Sequence, residues 1–181
     1  KEKKAPAIEV LRKQPIDVIR VFFITFYSVV QSTFMVYALT YAAEHTNIER
    51  STMLIVNATA MAISMVTIPL AAKLGDRIGR KPTLIIGAIG CIITMYFYFD
   101  ALTNENIALV FALCIINQGF FYSCWNGVWC VFFPEMFAQE YRYTGMAMGN
   151  QLGLVLTGFA PAISAAIYVT FSWQGVVYFV A

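Results

Sequence analysis

Long apolar runs interrupted by short polar turns set the plan of this 181-residue chain. Helices that cross the hydrocarbon core of a bilayer need about 20 residues, each rising about 1.5 Å. The pattern predicts membrane-spanning helices over 18–43, 53–72, 83–99, 107–133 and 145–170, with a sixth apolar run over 173–181. A nine-residue run is too short to cross, so the sequence reads as an excerpt ending inside an element. Residues 1–17 place Lys1, Lys3, Lys4, Arg12 and Lys13 around Ile8, Val10 and Leu11. That segment reads either as a basic stretch lying on the cytoplasmic membrane face with one amphipathic turn, or as a solvated linker from an upstream domain.

Composition agrees with the pattern. Apolar residues make up 60% of the chain and charged residues 12%, about half the share of a soluble domain. The net charge of +2 is too small to argue for nucleic acid. Cys91, Cys114, Cys124 and Cys130 all fall inside apolar runs without metal-ligand spacing, and read as packing residues. No metal-ligand cluster, nucleophile–base pair or phosphate-binding glycine loop is visible, which argues against an enzyme.

Charge placement gives the topology. Eleven of the twelve Lys and Arg residues lie before or within the start of the first span, in the 73–82 turn, or in the 134–144 turn; Arg50 alone lies on the other side. Basic residues mark the cytoplasmic side, so this asymmetry predicts a cytoplasmic N-terminus for the chain. Arg20 sits near enough to the boundary to snorkel. His45, in a short loop, reads as a solvated histidine.

Polar side chains within spans are costly in lipid and mark either interhelical bonds or an aqueous gap. Gln118, Tyr122, Trp125 and Trp129 follow helical spacing on one face of the fourth span, with Asn117 and Asn126 beside them. Amides and aromatic rings in one stripe can bind a carboxylate or hydroxyl and stack on a small skeleton, or form a buried polar ladder between helices. Tyr27 and Gln31 on the first span, Asn57 on the second, and Asn150 and Gln151 on the fifth complete the candidate set. No carboxylate or histidine lies at the centre of a predicted span. In the fifth, Gly145, Gly149 and Gly153 recur every four residues, a close-packing ridge or a sliding contact. Thr144 is placed to cap that span, and Pro134 to end the one before it.

Two motifs narrow the class. Leu74, Asp76-Arg77, Gly79 and Arg80-Lys81 form a charged turn in which Gly79 permits a positive φ. This turn resembles the signature loop Gly-x-Leu-Ala-Asp-Arg-x-Gly-Arg-Lys of the major facilitator superfamily, departing at Ala72 and Gly75. The string Glu135-x-Phe137 through Arg142-Tyr143-Thr144-Gly145, then Gly149-x-Gln151, resembles the metabolite:proton symporter group of shikimate, 2-oxoglutarate, citrate and proline/betaine transporters.

The resemblance implies an all-α membrane fold: the C-terminal six-helix half of a twelve-helix carrier, its last helix truncated, partnered by an N-terminal half. It further implies proton-coupled symport of a small carboxylate or zwitterion by alternating access, no cofactor beyond the proton, and a bacterial inner-membrane location. The polar candidates would line the substrate cavity. Asp76, Arg77, Gly79, Arg80, Lys81, Glu135 and Arg142 would form a conformational latch, with Glu135 paired either to Arg142 or to the 73–82 turn. The competing expectation is a membrane scaffold or sensor that keeps the fold without transport.

Overall fold

A computed structural model describes residues 6–180, so Lys1, Lys3 and Lys4 of the basic opening lie outside the described residues. The described residues contain helices and turns only. Helix α1 (Pro6–Lys13) precedes α2 (Pro15–His45), α3 (Arg50–Ile78), α4 (Arg80–Thr103), α5 (Ile107–Glu135), α6 (Arg142–Thr157) and α7 (Ala160–Val180). Five stretches are long and apolar enough to cross a membrane, the last being α6 and α7 taken together. Within α7 the helix breaks at Ser172, whose φ of 58° and ψ of −170° turn the chain back. Val176 and Val177 beyond the break are buried, and the Trp173 ring lies 5.4 Å from that of Tyr96 on α4.

Short connections make neighbouring helices antiparallel. Between α3 and α4 only Gly79 is non-helical, and its φ of 97° is one that a residue with a Cβ rarely adopts. Gly75, where the signature has alanine, is buried against α5, and a Cβ there would stand 2.9 Å from Cγ2 of Val128. The valine methyl occupies the space an alanine side chain would need.

Lipid offers no hydrophobic drive for helix association, so close packing and hydrogen bonds hold the bundle. The glycine ridge of α6 lies on α2: a Cβ at Gly149 would stand 2.9 Å from the Val18 carbonyl oxygen, and one at Gly153 2.7 Å from Thr25 Cβ. The α4–α5 and α3–α5 contacts are made the same way. A Cβ at Gly87 would come within 2.8 Å of the Phe121 carbonyl oxygen, and one at Gly127 equally close to that of Ile68. Hydroxyls within the spans bond back to the preceding turn, as Thr25 does to Val21 and Thr94 to Gly90, and so carry little polar cost.

Two helices depart from regular winding. Around Phe26 and Tyr27, α2 tightens into i→i+3 bonds, then loosens into a π-helical stretch over Thr33–Tyr37. In α5 a π-helical stretch covers Ile115–Phe121. Of the residues predicted on one face, Tyr122, Trp125 and Trp129 lie in the regular helix that follows and keep their spacing, while Gln118 lies inside the π-helical stretch, whose wider turn changes its angular relation to them.

Three local expectations are corrected. The penultimate residue of α5 is Pro134, so the helix ends at Glu135 and not before the proline. Helix α6 begins at Arg142, two residues ahead of Thr144, which lies inside the first turn and caps nothing; Tyr141 takes the N-cap position without a side-chain bond. The expected single amphipathic turn near the N-terminus is an eight-residue helix, with Val10 buried against Phe137 and Tyr141.

Candidate functional site

The π-helical stretch of α5 directs its residues between two neighbours. Asn117, fully buried, donates to the Thr94 hydroxyl at 2.6 Å and to the Cys91 carbonyl at 3.1 Å, both on α4. On the α3 side the Gln118 carbonyl accepts 3.1 Å bonds from the hydroxyls of Ser64 and Ser123, and Ser123 also meets Thr67 at 2.9 Å. Two amide groups remain without a partner among the described residues although buried: Nε2 of Gln118 and Oδ1 of Asn117. Unpaired amides in a low-dielectric interior are costly, by about 1–3 kcal/mol each.

Regular α-helix resumes at Tyr122 and turns the next residues toward α2. The Tyr122 hydroxyl donates to Gln31 Oε1 at 2.9 Å, and its ring stacks on Tyr27 at 5.6 Å and 6°. Trp125 lies 4.8 Å from the Tyr27 ring, and the Tyr27 hydroxyl donates to Cys91 Sγ at 2.9 Å. Cys91 therefore joins the two parts: Tyr27 bonds its sulfur and Asn117 its carbonyl. Tyr122 occupies the oxygen of Gln31, whose half-buried amide N–H groups have no hydrogen-bond partner among the described residues.

Of the predicted polar residues, Tyr27, Gln31, Asn117, Gln118, Tyr122 and Trp125 fall in this one region, with half-buried Asn126 a residue beyond Trp125. The other three lie apart. Asn57 donates to the Met35 carbonyl at 3.4 Å and accepts from the Cys114 thiol, in the opposite half of the core. Asn150 accepts from Thr25 at 3.3 Å across the α2–α6 contact, and Gln151 is exposed. A cavity of about 730 Å³ opens beside Tyr27 between α2, α4, α6 and α7, lined mainly by apolar groups such as Phe23, Phe26, Ile92 and Phe159. Tyr27 is the only candidate that lines it.

Sequence reasoning missed Ser64, Thr67, Cys91, Thr94 and Ser123. The signal was present as small polar residues at helical spacing on α3 (Ser64, Thr67) and α4 (Gly87, Gly90, Cys91, Thr94), a face that admits a neighbouring helix and bonds it.

At the charged end, Arg80 pairs with Glu135, tying the start of α4 to the end of α5. Of the two pairings open to Glu135, it takes the one with the 73–82 turn. Arg142 keeps its Nε buried and unpartnered, while Asp76, Arg77 and Lys81 are exposed and form no ion pair among the described residues. Nearby, Lys13 of α1 donates to the Tyr141 hydroxyl at 2.8 Å and pairs with Glu9 at 3.1 Å. The hydroxyl acceptor first, and the carboxylate second, push its ammonium pKa above the ordinary lysine value.

Membrane-length helices held by glycine contacts and interhelical hydrogen bonds, with a basic turn at one end, define a multi-pass α-helical membrane protein. The chain belongs to the Major Facilitator Superfamily, whose model matches residues 21–181. It is 28% identical over 97% of its length to the shikimate transporter of Escherichia coli K12, of which it spans 41%. It is 26% identical over 73% of its length to the citrate-proton symporter of Klebsiella pneumoniae and over 59% to the proline/betaine transporter of E. coli K12. These cover 30% and 21% of the respective relatives. No solved structure matches the chain.

Proposed function

We propose that the full protein is a secondary active carrier that moves a small carboxylate or zwitterionic metabolite together with a proton by alternating access. The observation that carries this reading is a set of amide donors without acceptors among the described residues, Gln118 Nε2 and the Gln31 amide that Tyr122 holds in place. An amide N–H unpaired in a membrane interior suits an anionic oxygen, and shikimate, citrate, proline and betaine, the solutes in the relatives' names, all carry a carboxylate. Aromatic Tyr27, Tyr122 and Trp125 supply a surface for the solute's skeleton. The full protein's second half completes the binding gap, and the basic turn faces the cytoplasm of a bacterial inner membrane.

In the described spans the carboxylates Asp17, Glu44, Asp76, Asp100 and Glu135 all lie in the first or last turns of helices. The group that carries the proton is then outside these spans, and the coupling ion needs no bound cofactor. The Arg80–Glu135 pair is the part of the latch that stays closed within this half, while Asp76 and Arg77 are free to meet the other half.

Reconstituted full-length protein tests the reading by counterflow. Vesicles loaded with an unlabelled organic acid or betaine accumulate the labelled solute, faster with an inward proton gradient. A correctly inserted protein that exchanges none of these solutes above protein-free vesicles sinks the proposal and leaves a non-transporting scaffold.

A further inference from the structure

The end of the bundle opposite the charged turn, where α2 meets α3, holds a second cavity of about 580 Å³. Its walls include Tyr37, Tyr41, Glu44 and His45 from α2, and Tyr168 and Ser172 from α7. The rings are continuous: Tyr41 meets Tyr168 edge-on at 5.3 Å, His45 lies 4.5 Å from Tyr168 and 5.2 Å from Tyr41, and Tyr37 is 6.1 Å from Tyr41. The Tyr41 ring is fixed from behind by a 3.1 Å bond between its hydroxyl and that of Thr103 on α4.

Three further features point to a ligand. The Tyr37 hydroxyl is buried, on a residue only 4% exposed, and has no hydrogen-bond partner among the described residues. Glu44 brings a carboxylate that forms no ion pair there, and neither Lys nor Arg lines the cavity. Ser172 stands in a left-handed conformation that non-glycine residues seldom adopt, a kind of strain that collects at ligand sites.

Aromatic faces carry negative quadrupole density, and together with one carboxylate they attract a cation whose charge is spread over an apolar surface. A compact metal ion asks for several hard oxygens, and no group of three His, Cys, Asp or Glu side chains exists among the described residues to supply them. We propose that this cavity binds an alkylated ammonium group, the rings of Tyr41 and Tyr168 contacting its methyl groups and Glu44 balancing its charge. The site is separate from the amide network around Gln31 and Gln118, and stands whether or not the carried solute is itself a cation.

Titration calorimetry on the purified full-length protein tests this, with tetramethylammonium as probe and neopentyl alcohol as its uncharged match. Wild type shows saturable binding of the cation and none of the alcohol. Removing the ring by Tyr168→Leu weakens binding about tenfold, Tyr168→Phe keeps it, and Glu44→Gln weakens it a few-fold. The proposal is overturned if the monodisperse wild type binds no cation, or if the alcohol binds equally. It is also overturned if Tyr168→Phe loses as much as Tyr168→Leu, or if Gln31→Ala abolishes binding while Tyr168→Leu does not.

Discussion

Replacing Gly149 probes how the bundle is held together. A Cβ at this position would stand 2.8 Å from both Cβ and Cγ1 of Val21 and 2.9 Å from the Val18 carbonyl oxygen. All three lie at least about 0.5 Å inside the 3.4 Å where ordinary contact begins. One is a backbone atom and another the branch carbon of a stiff side chain, so relief requires α2 and α6 to part. Overpacking of this kind costs about 1–3 kcal/mol. Alanine recovers about 1 kcal/mol of helix propensity over glycine, so Gly149→Ala is expected to lose about 1 kcal/mol net. Gly149→Val adds two methyl groups to the clash and recovers less propensity, for a loss of about 3 kcal/mol. Gly158→Ala is the control: the position is exposed, its nearest neighbours are carbonyl oxygens at 3.3 and 3.5 Å, and the substitution is expected to be neutral or stabilising. Denaturant titration of the full-length protein in detergent, followed by circular dichroism, reads all three. If Gly149→Val is as stable as Gly158→Ala, close approach of α2 and α6 at Gly149 does not hold the bundle.

Tyr122→Phe removes the hydroxyl that holds Gln31 and keeps the ring that stacks on Tyr27. Losing one such bond, worth about 0.5–1.5 kcal/mol, is expected to raise the KM for uptake about two- to tenfold with little change in protein level; an unchanged KM removes Gln31 from the site. Arg80→Glu and Glu135→Arg should each slow uptake, and the double exchange should recover most of it; no recovery would mean that the pair does not act as a unit. Lys13 has a folded-state pKa above its unfolded value, so what it contributes to docking α1 is complete below the ordinary lysine pKa. That contribution is lost only as pH rises through the folded value. Hydrogen exchange, corrected for its intrinsic pH dependence, should report equal protection of 6–13 at pH 7 and pH 9, and a loss in that range would refute the assignment.

The fold class was legible because its cause is simple. Runs of about 20 apolar residues have one stable form in lipid, and Gly79 amid basic residues marks a turn that few other residues permit. The site was legible in part. Asn117, Gln118, Tyr122 and Trp125 stood out as polar or aromatic groups in an apolar run, but periodicity of 3.6 could not place them. The π-helical stretch over Ile115–Phe121 turns Asn117 toward α4 while Tyr122 faces α2, and nothing in the local composition announces it. Cys91 and Thr94 were hidden for another reason: a buried thiol, and a hydroxyl bonded to its own helix, look like packing until a neighbour's polar groups are brought to them. Thr144 misled because a good cap residue was present, yet the helix had already begun at Arg142.

Counterflow by the full-length carrier with Gln118→Leu and Gln31→Leu tests most directly whether these amides meet the solute. The wild type is expected to exchange a labelled carboxylate or zwitterion. Each leucine variant, inserted at normal levels, should lose at least about tenfold in apparent affinity. Wild-type exchange that both variants retain unchanged would show the amides to be only struts between helices, without contact to the solute.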